Sequence, residues 1–234
     1  MAKNDLKLLG GWFSPFVVRV QIAFNIKSLE YENIEETLNP KSELLLQSNP
    51  VHKKIPVLLH ADKPICESGI IVQYIDEVWT NGPSILPENA YDRANARFWF
   101  AYIDDKLFTS MRNILAAEDE EIKKTNFNQV EEVLERMEDL FNKHSDGKEA
   151  YFGGGSIGFI DIGFGSLLSW LSALEEMNGR KVLVEAKFPA LVKWAERFAA
   201  DPAVKEVFQE PQKLIEYSKV LQLRWAAAAA AAAK

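Results

Sequence analysis

Ser14, in the run Trp12-Phe13-Ser14-Pro15-Phe16, is a hydroxyl set where a helix should begin. Pro15 suits the first helical position, where its missing N–H costs nothing, and the unpaired amides of a helix start form a partly positive cradle for an anion. By itself such a Ser-Pro step is an N-cap and no more. Three further stretches give it company: Lys41 in the turn Asn39-Pro40-Lys41-Ser42, Lys54-Ile55-Pro56 ahead of an apolar run, and Glu67-Ser68 ahead of another helix. With Ile55-Pro56 in cis, the Ile55 amide and carbonyl would face outward like a free sheet edge, ready to pair with an extended peptide. The Glu67-Ser68 amides would hold a carboxylate, and Lys41 with Lys54 a second one. Such a set fits a small peptide with a carboxylate at each end, its middle laid on Ile55 and Pro56, beneath Ser14.

The elements that must carry these residues follow from periodicity. Leu6-Lys7-Leu8-Leu9 is a short apolar run closed by Gly10-Gly11, and Val17 to Phe24 reads as an apolar helix. Leu29 to Ile34 alternates as a second strand, close enough for a β-α-β unit with parallel neighbours. A short helix, Glu43 to Gln47, stops at Ser48-Asn49-Pro50. Val57-Leu58-Leu59 and Pro64-Ile65-Cys66 make a hairpin about Ala61-Asp62, and Ile70 to Trp79 is a third helix. The order β-α-β-α-β-β-α predicts a thioredoxin-like domain with a mixed four-stranded sheet over residues 1–80. Residues 81–90, rich in proline and glycine, read as a linker, and 91–225 as an all-α helical bundle. In that bundle Tyr91 to Ala117 is one long aromatic helix, Asn126 to Lys143 a second, and Ile157 to about Leu174 a buried one. Gly158 is its N-cap, Asp161 bonds back to the cap amide, and Ile157 with Ile162 forms a hydrophobic staple. The alanine run in 226–234 resembles no natural terminus and is read as a non-native tail.

Composition narrows the function classes. The 234 residues are 47% apolar, enough for a sizeable core, and carry a net charge of -7, so neither nucleic acid nor an anionic membrane is an expected partner. One cysteine, Cys66, rules out an internal disulfide and any CxxC motif, which suits a reducing, cytoplasmic setting. No apolar stretch has the length of a signal peptide core or a membrane span. His52, His60 and His144 have no ligand spacing, and no metal is expected.

The strings Trp12-Phe13-Ser14-Pro15-Phe16 through Arg19, Asn49 to Leu58, Glu67-Ser68, Arg97-Phe98-Trp99, Tyr151-Phe152-Gly153-Gly154 and Gly158 to Ile162 resemble, in order and spacing, the soluble glutathione transferases, and most closely the plant tau class. The resemblance runs to about Leu221. Phe13 departs from it where many tau sequences carry a small residue, and Gly158 departs where other classes carry a hydroxyl cap. It implies an enzyme that conjugates glutathione, its co-substrate, to hydrophobic electrophiles in xenobiotic detoxification and stress response, with a peroxidase side activity and a homodimeric form. Ser14 would then be catalytic, donating its hydroxyl to the glutathione sulfur. Lys41 and Lys54 would hold the glycyl carboxylate, Ile55 the cysteinyl backbone, and Glu67 with Ser68 the γ-glutamyl end. The acceptor would face Trp12, Phe16, Phe108, Arg112, Leu115 and Trp170. Arg19, Arg93 and Arg97 are expected to be structural or interface charges.

The chemistry needs little else. A thiol of pKa about 8.5 becomes largely thiolate at neutral pH when lowered by about two units, roughly 2.7 kcal/mol. One hydroxyl hydrogen bond to an anion supplies about 1.5 to 3 kcal/mol and a helix start about 0.5 to 2. Two other readings use the same fold: a non-catalytic carrier of apolar molecules in the interdomain cleft, and a thiol-disulfide enzyme. The last would need a cysteine at the Ser14 position.

Overall fold

The computed structural model describes residues 5–37, 39–145 and 149–232. Positions 146–148 of the expected loop, the His144 side chain and the end of the alanine tail lie outside the described residues. Four strands, β1 (Leu6–Gly10), β2 (Glu32–Glu35), β3 (Val57–His60) and β4 (Lys63–Cys66), form one mixed sheet in the order β2-β1-β3-β4. β1 runs parallel to β2 and antiparallel to β3, and β3 and β4 form the expected hairpin. Ala61 and Asp62 both take positive φ (49° and 60°), the geometry of a tight two-residue turn. β2 begins three residues later than the alternation suggests, because Leu29 packs against the core while the chain enters the sheet only at Glu32.

Helices α1 (Pro15–Ile26) and α3 (Ser68–Val78) pack together on one sheet face, and the short α2 (Glu43–Ser48) covers the other through Leu45, which joins Leu9, Val57 and Leu59. The helical part follows as α4 (Ala90–Tyr102), α5 (Thr109–Ala116), α6 (Glu120–Ser145), α7 (Phe159–Gly165), α8 (Leu168–Asn178), α9 (Pro189–Ala200), α10 (Pro202–Lys205) and α11 (Pro211–Ala232). A π-helical segment, Ile103–Phe108, joins α4 to α5, so the single long helix expected there is present with a wider turn in its middle. A continuous buried cluster runs from Leu8 and Val20 of the sheet domain to Phe164 and Trp194 of the bundle.

Two buried charged groups fasten the halves together. Arg19, fully buried on α1, bonds the Ser166 Oγ (3.0 Å), the Ser68 Oγ (3.3 Å), the Gly163 carbonyl (3.0 Å) and both oxygens of Asp104 (3.1 and 2.6 Å). Every guanidinium donor is thereby used, which is what makes its burial tolerable. It also explains why the buried helix is broken in two. The Gly163 carbonyl accepts from Arg19 and Ser166 instead of the Leu167 amide, which turns to the Phe164 carbonyl at 3.0 Å. The second fastening is the buried pair of Lys27 and Asp76 at 2.7 Å. Lys27 also donates to the Pro83 carbonyl, and Asp76 accepts the Ile85 and Leu86 amides at 2.9 Å each, so the proline-rich stretch between α3 and α4 is held at several points.

Candidate active site

Strand register alone brings the candidate residues to one edge of the sheet. β1 ends at Gly10 opposite Glu35, the last residue of β2, and beside Val57, the first of β3, which in turn faces Cys66, the last of β4. Ser14 follows the first of these ends, Lys41 the second and Glu67 the fourth, while Ile55-Pro56 immediately precedes the third. The Ile55-Pro56 bond is cis. Gly11 is required where the segments meet: a β-carbon there would lie 2.8 Å from the Phe13 ring and 3.2 Å from Ile55 Cδ1.

Ser14 is buried and caps α1, its Oγ accepting from the Val17 amide at a long 3.4 Å while its own amide closes a turn on the Gly11 carbonyl. Among the described residues its hydroxyl donates to nothing. The Ile55 amide and carbonyl are similarly without a hydrogen bond among the described residues. Glu67 takes φ 71° at the N-cap of α3 and puts no side-chain oxygen on the cap amides, leaving them open to an external carboxylate. Its side chain, 57% exposed, lies 3.9 Å from His52. Ser68 is buried and accepts from Arg19, so its role is tied to the interdomain contact. Lys41 and Lys54 are exposed, and the Lys41 ammonium bonds the Lys53 carbonyl at 2.7 Å, which holds it toward the segment carrying Lys54 and Ile55. Cys66 is unsuited to thiolate chemistry, since burial, with the Glu67 carboxylate beside it, raises its thiol pKa.

Above Ser14 opens an apolar cleft of about 190 Å³ between the two halves of the chain. Phe16, Phe108, Arg112, Leu115 and Trp170 line it as expected, and Phe16 meets Phe108 edge-on at 4.7 Å. Trp12 is not brought into it. Consecutive residues of the turn point opposite ways, so Phe13 lines the cleft while Trp12 is 47% exposed. Met111, Leu167, Leu174, Leu221 and Trp225 complete the lining and were missed from the sequence. A signal existed for the last two: Leu214, Tyr217, Leu221 and Trp225 repeat at helical spacing along α11. Arg112 is the charged member of the lining. A larger cavity of about 420 Å³ between Ser84–Ile85 and the 149–160 segment meets none of the candidate residues.

Among the described residues no group of histidine, cysteine or acidic side chains could hold a metal ion, and no helix is long and apolar enough to cross a membrane. Arg93 bonds the Pro87 and Glu88 carbonyls and Arg97 the Gln73 side chain, structural uses in both cases.

A serine at a helix start on the edge of a thioredoxin-like sheet, facing an apolar cleft walled by a helical domain, defines a transferase that presents a small thiol peptide to apolar acceptors. Comparison with known proteins agrees. Residues 4–77 match the model of the glutathione S-transferase N-terminal domain and residues 94–202 that of the C-terminal domain. Glutathione S-transferase U18 of Arabidopsis thaliana is 55% identical over 222 residues, covering 94% of this chain and 97% of the relative. The tau-class enzyme of mango, Mangifera indica, superposes with a TM-score of 0.89 at 57% identity over 94% of this chain and all of the other. Rice GST1 in complex with glutathione gives 0.87 at 36% identity, covering 96% and 99%. The chain belongs to the glutathione S-transferase family, in its tau class.

Proposed function

We propose that this glutathione S-transferase activates glutathione through Ser14, with Lys41, Lys54, Ile55, Pro56, Glu67 and Ser68 holding the peptide and the cleft above receiving a hydrophobic electrophile. The observation that carries the reading is the unengaged Ser14 hydroxyl at the start of α1, on the sheet edge of the peptide-binding set and in the cleft lining. The hydroxyl and the α1 amides favour the thiolate, the thiolate attacks the electrophilic carbon, and a carbon–sulfur bond replaces the bond to the leaving group. An apolar lining suits acceptors chosen by shape and hydrophobicity. A carrier would have no use for this free hydroxyl, which favours catalysis.

The test is the pH dependence of conjugation at saturating glutathione. Ser14→Ala should raise the midpoint by about one to two units and lower the rate near neutrality at least about tenfold. A pure cap would instead cost about 0.5 to 2 kcal/mol of stability and leave the midpoint in place. The reading also includes a cytoplasmic setting, consistent with a single thiol, and a homodimer. Supporting the dimer, α3 and α4 lie side by side, Gln73 to Arg97 at 2.7 Å, with Ile70, Tyr91 and Phe98 exposed. Sedimentation giving the mass of one 26.5 kDa chain would remove that part.

A further inference from the structure

We propose that Trp170 and Gln209 are positioning residues for Ser14, holding the two backbone carbonyls just before it, so that the acceptor cleft and the thiolate site share one loop. The inference rests on Ser14 as the thiolate donor. The Trp170 indole Nε1 donates to the Phe13 carbonyl at 2.9 Å across 157 positions of sequence, and the Gln209 amide donates to the Trp12 carbonyl. Tyr217 of α11 stacks on Phe13, ring centroids 4.2 Å apart and planes 17° apart, and meets Trp12 edge-on at 5.5 Å. On the sheet side, the Trp12 amide donates to Glu35 Oε1 at 3.1 Å and the Ser14 amide closes on Gly11. The turn is thus gripped from both halves of the protein, and its two outward carbonyls are held by the helical half alone.

Ser14 itself makes no side-chain contact with that half, so its hydroxyl is aimed through the backbone. A hydrogen bond from that hydroxyl to sulfur is sensitive to small displacement, and the cost of misplacement falls on the thiolate more than on the fold. Trp170 and Phe13 also line the acceptor cleft. An acceptor ring seated against them rests on the same turn, which gives acceptor binding a route to the thiolate and, by linkage, the thiolate a route to acceptor affinity.

The experiment titrates glutathione bound to the full-length enzyme, reading the ultraviolet absorbance of the thiolate with no acceptor present, in wild type, Ser14→Ala, Trp170→Phe and Gln209→Leu. Trp170→Phe keeps an aromatic ring and removes the N–H. Gln209→Leu removes the other donor at a residue outside the cleft lining. Each should raise the midpoint by about half a unit to one unit, since each loosens rather than removes the Ser14 hydrogen bond. Thermal unfolding run in parallel identifies folded variants, and should Trp170→Phe not fold, Gln209→Leu decides. A wild-type midpoint retained in a folded Trp170→Phe or Gln209→Leu while Ser14→Ala shifts overturns the positioning role alone. No shift in Ser14→Ala overturns the parent reading and this one with it.

Discussion

Two carboxylates stand at two helix starts in this protein and do opposite things. Asp161, at the third position of α7, is fully buried and accepts from the Phe152, Gly153 and Gly158 amides at 2.9 Å each and from the Trp194 indole at 2.7 Å. Burial pushes its carboxyl up to about 6 against the pull of those four donors, which leaves it mainly ionised at neutral pH. Glu67, at the N-cap of α3, is exposed, bonds none of the cap amides and holds a positive φ. Asp161 closes its helix start and Glu67 leaves one open. The difference separates structure from binding across the chain: Arg19 and Lys27 are buried with partners, whereas the Ser14 proton, the Ile55 backbone and the α3 amides lack protein partners among the described residues.

The largest expected effect tests the closed end. Asp161→Ala would strand three backbone donors and an indole N–H in the interior, each costing about 1 to 3 kcal/mol. The sum, on the order of 4 kcal/mol or more, is a large part of a typical folding stability of about 5 to 15. Denaturant unfolding should place the variant at the margin of folding. Asp161→Asn, whose NH2 would face donors, should recover only part of the loss. A cost below about 1 kcal/mol for Asp161→Ala would mean that water or a local shift satisfies those groups, and the contrast with Glu67 would lose its force.

How far this division was legible in the sequence depends on distance along the chain. The Asp161 cap and the Ser14 cap were readable because cap and capped amide lie within three residues. The sheet edge that gathers Ser14, Lys41, Ile55 and Glu67 was readable because β-α-β and hairpin connections fix strand direction. The break between α7 and α8 was not, since it depends on Arg19 taking a carbonyl 144 positions away. Trp12 was placed in the cleft in place of Phe13 for a related reason. Which of two adjacent aromatic side chains turns inward is decided by Tyr217 and Trp170, about 160 to 200 residues downstream, and no local pattern records it.

The smallest effect on stability, and the most informative about the open end, is expected from Glu67→Ala and Lys41→Ala. Neither side chain is buried, and the 3.9 Å approach of His52 to Glu67 is an exposed pair that contributes little to folding. Alanine at position 67 faces the same positive φ as glutamate, so the backbone cost is largely common to both. Unfolding should therefore shift by no more than about 0.5 kcal/mol in either variant. Binding is different, because these groups would contact the ends of the peptide, remote from sulfur, and such contacts are made equally before and during the reaction. Their loss should raise the KM for glutathione about tenfold, near 1.4 kcal/mol, and leave kcat close to wild type. A fall in kcat at unchanged KM would mean that Glu67 or Lys41 acts on the thiolate, and an unchanged pair of constants would mean that the open amides of α3 and the ammonium of Lys41 hold no part of the peptide.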